Sequence, residues 1–450
     1  MSGLGERPIA AIATAPGFSG VAIVRVSGPG ALEVARRVFR KRAKGPYESH
    51  RMYYGRAMDG QTPIDEAMGV YFRGPRSYTG EDAFEIQCHG GSVAASAVLS
   101  ALLNSGCRLA EPGEFTKRAF LNGRLSLDEA EAVMDFIGAR TDAAARSALS
   151  RMEGALLRRL GPVEEGLLDM AASLEALLDY PDEDVEQAEV ERALAGLDAA
   201  LETLGRAIAS APALELLQRG VRVVLFGAPN AGKSSLLNAL LERRRAIVTD
   251  QPGTTRDVLR EELSLRGLPV VLSDTAGLRR AEGLAEEQGV ALAKDELSRA
   301  DLGLLVLDSS LDELPELPAL SCPLVVALNK GDLPARLSEE AVERALHPAA
   351  LVRTCALTGE GVDRLREALY ELAVGQADVE DAALAGERQV ELAKQAQAAL
   401  LDAKQALPKG QLDLAAIALR QAYGFLGRLF GREADERVID RIFEKFCLGK

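Results

Sequence analysis

Gly227, four further residues, then Gly232, Lys233 and Ser234 form a spacing suited to holding a phosphate chain, between the apolar run "VRVVLF" and a stretch that reads as a helix. The two glycines, with the small Ala231, let backbone N–H groups converge on phosphate oxygens at a helix N-terminus. Lys233 adds a point charge, Ser234 is a ligand for Mg²⁺, and Ser235 continues the cradle. The same loop carries Asn230, whose side-chain carbonyl can hold a monovalent cation beside the phosphates where no arginine is available.

Which base is read is indicated at "NKGD", Asn329 to Asp332, after the apolar run "PLVVALN". The Asp332 carboxylate can accept from the guanine N1–H and amine, whereas adenine presents an acceptor there and would leave the charge unpaired. GTP is therefore expected rather than ATP, with Asn329 and Lys330 in the same loop. "DTAG", Asp274 to Gly277, ends another apolar run; Asp274 suits the Mg²⁺ shell, and Thr275, Ala276 and Gly277 the γ-phosphate. "GTTRD", Gly253 to Asp257, offers Thr255 as a second Mg²⁺ hydroxyl. Leu278 cannot orient a water by hydrogen bonding, so Glu286 or Glu287 is the candidate for that task.

Residues of this kind need a rigid frame, and three textures supply it. Up to about Phe120, strand-like runs alternate with Gly and Pro and with two helical stretches, Leu32 to Arg42 and Val93 to Leu103, giving an α+β domain. From about Leu127 to Ala211, and again after Asp378, Ala, Leu, Glu and Arg recur at helical spacing, with Asp179 to Asp184 and Pro181 breaking the first helical stretch. Between them, "VRVVLF", "PVVLSD", "LGLLVLD" and "PLVVALN" alternate with helices, as in a parallel sheet covered on both faces. The expected fold class is thus multidomain α+β: an α+β N-terminal domain (1–120), an α-helical bundle (121–216 and 377–450), and an inserted α/β P-loop domain (217–376).

Composition narrows the classes. The 450 residues, 47% apolar and 27% charged, suffice for several packed cores, and the net charge of −14 argues against a protein that coats polyanions wholesale. The basic runs Arg36 to Lys44 and Arg243 to Arg245 read as solvated faces, with phosphate contact as the alternative. Five scattered cysteines without C-x-x-C spacing suggest neither a disulfide framework nor a zinc site, and a reducing, cytoplasmic location is expected. No signal peptide is evident, and the uncharged segment Gly90 to Cys107 reads as a packed helix rather than a membrane span.

Taken together, "GAPNAGKSSLLNAL", "IVTDQPGTTRDVLRE" and "DTAGLR", with "GFSGVAIVRVSG", "SYTGEDAFEIQCHGG", "EPGEFTKRAFLNGRLSLDEAEAV" and the closing "FCLGK", resemble the MnmE (TrmE) family of tRNA-modification GTPases across the whole chain. The resemblance implies a homodimer whose N-terminal domain binds a 5-formyl- or 5,10-methylene-tetrahydrofolate, with Arg25, Glu85, Arg124 and Lys450 at the matching positions. It implies K⁺ held by Asn230, Thr249, Gln251 and Thr254, Mg²⁺ at Ser234 and Thr255, and Glu286 orienting the attacking water. It implies a heterotetramer or larger complex with an FAD flavoprotein of the MnmG (GidA) type that modifies carbon five of the wobble uridine of tRNA, with no membrane involved. Arg124 stands where Lys is expected, Gln251 would ligate through its backbone carbonyl, and in "TCAL" Cys355 replaces the usual Ser beside Ala356 at the guanine. Cys447 reads as a small buried hydrophobe. The alternative is a GTPase switch in ribosome assembly or tRNA binding that lacks one-carbon chemistry.

Overall fold

The computed structural model describes residues 7–179, 186–241, 260–274, 297–312, 314–315, 320–374, 383–432, 436–444, 446–447 and 449. They fall into two compact units, one within 1–134, 152–154 and 427–450, the other within 135–151 and 155–426.

The first unit is built on a seven-stranded sheet in the order β3-β4-β5-β6-β2-β1-β7. Its strands are β1 (Ile9–Ile12), β2 (Val21–Ser27), β3 (Phe39–Lys41), β4 (Met52–Asp59), β5 (Thr62–Phe72), β6 (Ala83–His89) and β7 (Arg108–Leu109). All neighbours are antiparallel except β1 and β7, which run parallel. Side chains alternate, so Ala22, Val24 and Val26 of β2 and Phe84, Ile86 and Cys88 of β6 bury one face beneath helices α1 (Ala31–Val38) and α2 (Ser92–Asn104). The opposite face carries Arg25 and Glu85, and Phe115 of α3 (Glu114–Leu121) packs on its β1 end with Ile9 and Ala11.

The helix expected to reach Arg42 ends at Val38. Phe39 to Lys41 pair with Gly55 to Ala57 of β4, because Phe39 gains a fully buried site among Tyr53, Ala57 and Phe84 that a continued helix would forfeit. At the end of the chain, helix α13 (Glu436–Phe443) brings Ile439 and Phe443 onto Leu127 and Ala130 of α4 (Leu127–Ile137), with Phe446 alongside. Since Phe446 takes the buried position, the next residue, Cys447, faces outward and is exposed, contrary to the buried reading.

The second unit holds α5 (Asp142–Met152), the long helices α6 (Ala155–Asp179) and α7 (Glu186–Arg219), and a six-stranded sheet. Leu197, Ala200, Leu204, Ala207 and Ala211 recur every three or four residues on α7 and are buried, facing α6 and α11 (Glu387–Ala406). The α11 helix is followed by a 3₁₀ turn and by α12 (Leu412–Leu429). Pro181 and its acidic neighbours, expected to interrupt the helices, lie outside the described residues.

The sheet order is β13-β12-β11-β8-β10-β9, from β8 (Val221–Phe226), β9 (Arg260–Leu265), β10 (Leu268–Asp274), β11 (Leu302–Asp308), β12 (Leu324–Asn329) and β13 (Ala350–Arg353). Strands β8 and β10 to β13 are parallel, and alternate residues of β8, β11 and β12 enter two different cores, one per face. Helices α8 (Lys233–Leu241) and α10 (Val362–Val374) cover one face, α9 (Glu339–Leu346) the other. The expected all-parallel sheet acquires an antiparallel edge: β9 and β10 are joined by the tight turn Arg266-Gly267, which only antiparallel pairing permits. Among the described residues no helix is long and apolar enough to cross a membrane.

Where α7 runs into the sheet, Arg219 grips Asp301 in bidentate fashion at 2.7 and 2.8 Å, and Asp301 also accepts from the Arg222 N–H at 2.8 Å. Burial pushes the Asp301 carboxyl up, but these donors outweigh it and hold it below the usual carboxylate value of 3.8. A carboxyl lowered on folding contributes stability above its unfolded pKa and loses it as pH falls through the folded one. Urea unfolding of the chain and of Arg219→Met should therefore differ by a constant amount from pH 5 to 8, and the gap should close as pH drops below about 4; a gap unchanged at pH 3 would contradict this role.

Candidate nucleotide site

The carboxyl ends of β8, β10, β11 and β12 meet at one edge of the six-stranded sheet, the edge at which open α/β sheets bind ligands. Strand β8 delivers the chain into the loop 227–232 and α8 takes it away, so the loop's N–H groups gather at a helix N-terminus.

The loop is fitted by close approach. Gly227 has φ 143°, and a Cβ there would lie 2.3 Å from the Val306 carbonyl oxygen of β11. Gly232 has φ 94°, and its Cβ would lie 2.2 Å from the Asn329 amide nitrogen. Asn230 is exposed with φ 63°, a left-handed conformation that asparagine tolerates better than most residues. Ala231 is buried, while Ser234 and Ser235, in the first turn of α8, are exposed. The Lys233 ammonium donates to the carbonyls of Gly227 and Ala228 at 3.0 and 2.8 Å, so the cation is turned into its own loop.

Asn329, the last residue of β12, is 2% exposed and joins two loops. Its amide donates to the Ala231 carbonyl at 3.0 Å, and its oxygen accepts from the Ala356 N–H at 3.0 Å and from the Thr354 hydroxyl at 3.4 Å. Lys330 takes φ 62° and pairs with Asp308 at the end of β11 at 2.6 Å. Burial raises the Asp308 carboxyl, but Lys330 and the Ser310 hydroxyl and N–H overcome it, leaving the group below its ordinary value. Asp332 is exposed, and one of its oxygens accepts from the buried Cys355 thiol at 3.2 Å. The structure thus brings Gly227, Asn230, Ala231, Gly232 and Lys233 to one edge with Asn329, Lys330, Asp332, Cys355 and Ala356. The backbone of Asp274 ends β10 at the same edge, opposite Leu225. Asp308 was not singled out from the sequence, although its position closing "LGLLVLD" marks it as a strand-end residue. Thr249, Gln251, Thr254, Thr255, Thr275, Ala276, Gly277 and Glu286 lie outside the described residues.

In the first unit, cross-strand neighbours Arg25 and Glu85 form an ion pair at 2.8 Å, with side chains 18% and 16% exposed. The Arg25 guanidinium stands 5.6 Å from the ring centroids of Tyr78 and Phe115, and it reaches the Gly449 carbonyl at 3.5 Å. Tyr78 and Gly449 were not anticipated. Arg124 is exposed in the turn between α3 and α4, its N–H bonded to the Ala119 carbonyl at 2.8 Å, and Lys450 lies outside the described residues. At the other end of α3, Glu114, 1% exposed, accepts from Arg108, from Arg118 and from the Glu111 N–H. Burial works to raise the Glu114 carboxyl; Arg108, the Glu111 N–H and Arg118 reverse that and lower it.

A model of the "GTP-binding protein TrmE N-terminus" matches residues 8–124, and one of the "MnmE helical domain" matches residues 127–447. Proteins named "tRNA modification GTPase MnmE" are similar over nearly their full length. That of Geobacter sulfurreducens is 44% identical over 456 residues, 99% of this chain and 99% of that protein. That of Symbiobacterium thermophilum is 45% identical, covering 99% and 100%. That of Thermus thermophilus is 43% identical, covering 98% and 99%.

Replacing Asn329 by Ala removes the donor to Ala231 and the acceptor for Ala356 at once. Each group left buried without a partner costs about 1–3 kcal/mol, so urea unfolding of the second unit should shift by that order and GDP affinity by calorimetry should fall at least about tenfold. Unchanged nucleotide affinity would show that the two loops do not depend on this residue.

Proposed function

The chain belongs to the MnmE family of tRNA-modification GTPases, and from that premise we propose that it is a potassium-dependent GTP hydrolase. With an MnmG (GidA)-type FAD flavoprotein, it modifies carbon five of the wobble uridine of tRNA, using a one-carbon unit from tetrahydrofolate. The observation that carries the GTPase reading is the meeting of a phosphate loop and the Asp332 loop at one sheet edge, bridged by Asn329.

In this reading the nucleotide draws the Lys233 ammonium from the Gly227 and Ala228 carbonyls to its phosphates, while Asp332 receives the guanine N1–H and amine. Mg²⁺ and K⁺, when bound, would supply positive charge at the phosphate oxygens. Ser234 and Thr255 are the residues for Mg²⁺, with Asp274 behind them. Asn230, Thr249, Gln251 and Thr254 are those for K⁺, and the outward, left-handed Asn230 accords with this assignment. Glu286 accepts a hydrogen bond from the attacking water and aims it at the phosphorus.

The proposed domains follow: residues 1–120 for folate and for dimerisation, 121–216 and 377–450 as the helical domain, and 217–376 as the inserted GTPase domain. Glu85, mostly enclosed and ion-paired with Arg25, has the acceptor oxygens that a pterin's donor edge requires, and the half-buried Tyr78 ring stands beside the Arg25 guanidinium. Arg124 and Lys450 are the cations for the acidic tail of the folate. The protein is proposed to act in the cytoplasm as a homodimer.

GTP turnover by the full-length protein should rise at least about tenfold in potassium over sodium, and Asn230→Ala should abolish that difference. Glu286→Ala should lower turnover by roughly 10²–10⁴ while GDP still binds. Equal rates in the two salts would remove the potassium assignment. Glu85→Ala should weaken tetrahydrofolate binding by calorimetry, and failure of the parent chain to bind folate at all would favour the switch without one-carbon chemistry. Unmodified wobble uridines, by mass spectrometry of tRNA from cells lacking the protein, are the expected cellular result.

A further inference from the structure

Eight of the chain's 53 lysines and arginines fall within residues 36–56, where Glu48 is the only acid, although the chain as a whole carries −14. The run leaves α1, forms the edge strand β3 and crosses to β4. Arg40 pairs in register with Arg56, and Arg42, one residue past the strand, bonds through its N–H to the Tyr54 carbonyl. Because side chains alternate across the sheet, Arg40, Arg42, Tyr54 and Arg56 project away from the core of Phe39, Tyr53 and Ala57, and all four are exposed. The Arg42 guanidinium lies 4.6 Å over the Tyr54 ring.

The local partners leave this group cationic. Arg42 and Arg56 share one carboxylate, Glu66, at 2.9 and 3.5 Å, with every member about half exposed, and such exposed pairs are weak. Arg40 rests on the Gly60 carbonyl and the Gln61 side chain, both neutral. Cations on an edge strand also deter strand addition, which accounts for Arg40 but not for Arg56 on the interior strand β4. A second copy of the chain would meet this face with the same charge. A polyanion is the complementary occupant, and arginines beside an exposed aromatic ring suit one that carries both phosphates and bases.

We propose that the open sheet face around Arg40, Arg42, Tyr54 and Arg56 docks the phosphate backbone of RNA. The inference rests on the reading that this protein acts on tRNA, and it assigns the tRNA a place on the first unit, held by at least three phosphate contacts.

The test uses the full-length protein and a labelled tRNA transcript, with affinity measured from 50 to 200 mM potassium chloride. The slope of log affinity against log salt should fall by about two to three in R40Q/R42Q/R56Q, with affinity at least about tenfold lower at 100 mM. R40K/R42K/R56K should keep most of the slope, E66Q should bind more tightly than the parent, and R344Q/R364Q/K394Q, of equal charge change on exposed sites elsewhere, should leave the slope alone. GTP turnover and urea unfolding should be the same in all of them, which certifies folding of the second unit and of the first. Equal slopes for the parent and R40Q/R42Q/R56Q would overturn the docking surface while the tRNA reading stands. Loss of slope to the same extent in R344Q/R364Q/K394Q would overturn it as general screening. Impaired binding of R40Q/R42Q/R56Q to phosphatidylserine vesicles, with tRNA binding intact, would overturn it in favour of a lipid surface. A parent chain that binds no tRNA at 50 mM salt would overturn the proposal and the tRNA reading together.

Discussion

One buried side-chain amide holds the nucleotide edge together. Asn329 spends its donor on the Ala231 carbonyl and its acceptor on the Ala356 N–H, so the loop suited to phosphates and the loop suited to the base are fixed at a set separation before any ligand arrives. Buried polar groups are costly when unpaired, and a fully satisfied bridge between two loops therefore resists their drifting apart. One loop glycine follows from it, since Gly232 has no room for a Cβ because the Asn329 amide stands in its place; Gly227 is fixed separately, pressed against Val306 of β11. Such preorganisation lowers what binding must spend on ordering the site.

The first unit uses charge where the second uses an amide. Glu114 is buried among Arg108, Arg118 and the Glu111 N–H, and Arg118 extends the chain of pairs to Glu81 and thence to the hydroxyls of Ser27 and Thr79. Removing one member of such a buried network is far more damaging than the net value of the whole. It secures α3 against the sheet face that carries Arg25 and Glu85, and Gly449 meets the same face through its carbonyl.

Much of the frame was legible because its signals are local. Buried strands flanked by turn residues announced β8, β10, β11 and β12, and helical spacing announced α7 and α11. What escaped was set by distant partners. The short strands β1, β7 and β13 exist because neighbours pair with them, and the helical reading through Arg42 failed because Phe39 finds its place among residues from β4 and β6. In the site, "GAPNAGKS" and "NKGD" were readable as words, whereas Asn329 acting as the bridge, Asp308 as the partner of Lys330 and Tyr78 beside Arg25 depend on residues from 22 to 98 positions apart or on a different strand. Cys447 was misjudged for the same reason, since Phe446 claims the apolar position.

The lysine of the phosphate loop has a last consequence. Its ammonium donates to two carbonyls of its own turn, so an anion that occupies the cradle competes with an internal acceptor pair. A ligand that carries both phosphates and a base can offset that competition through contacts elsewhere along the same edge.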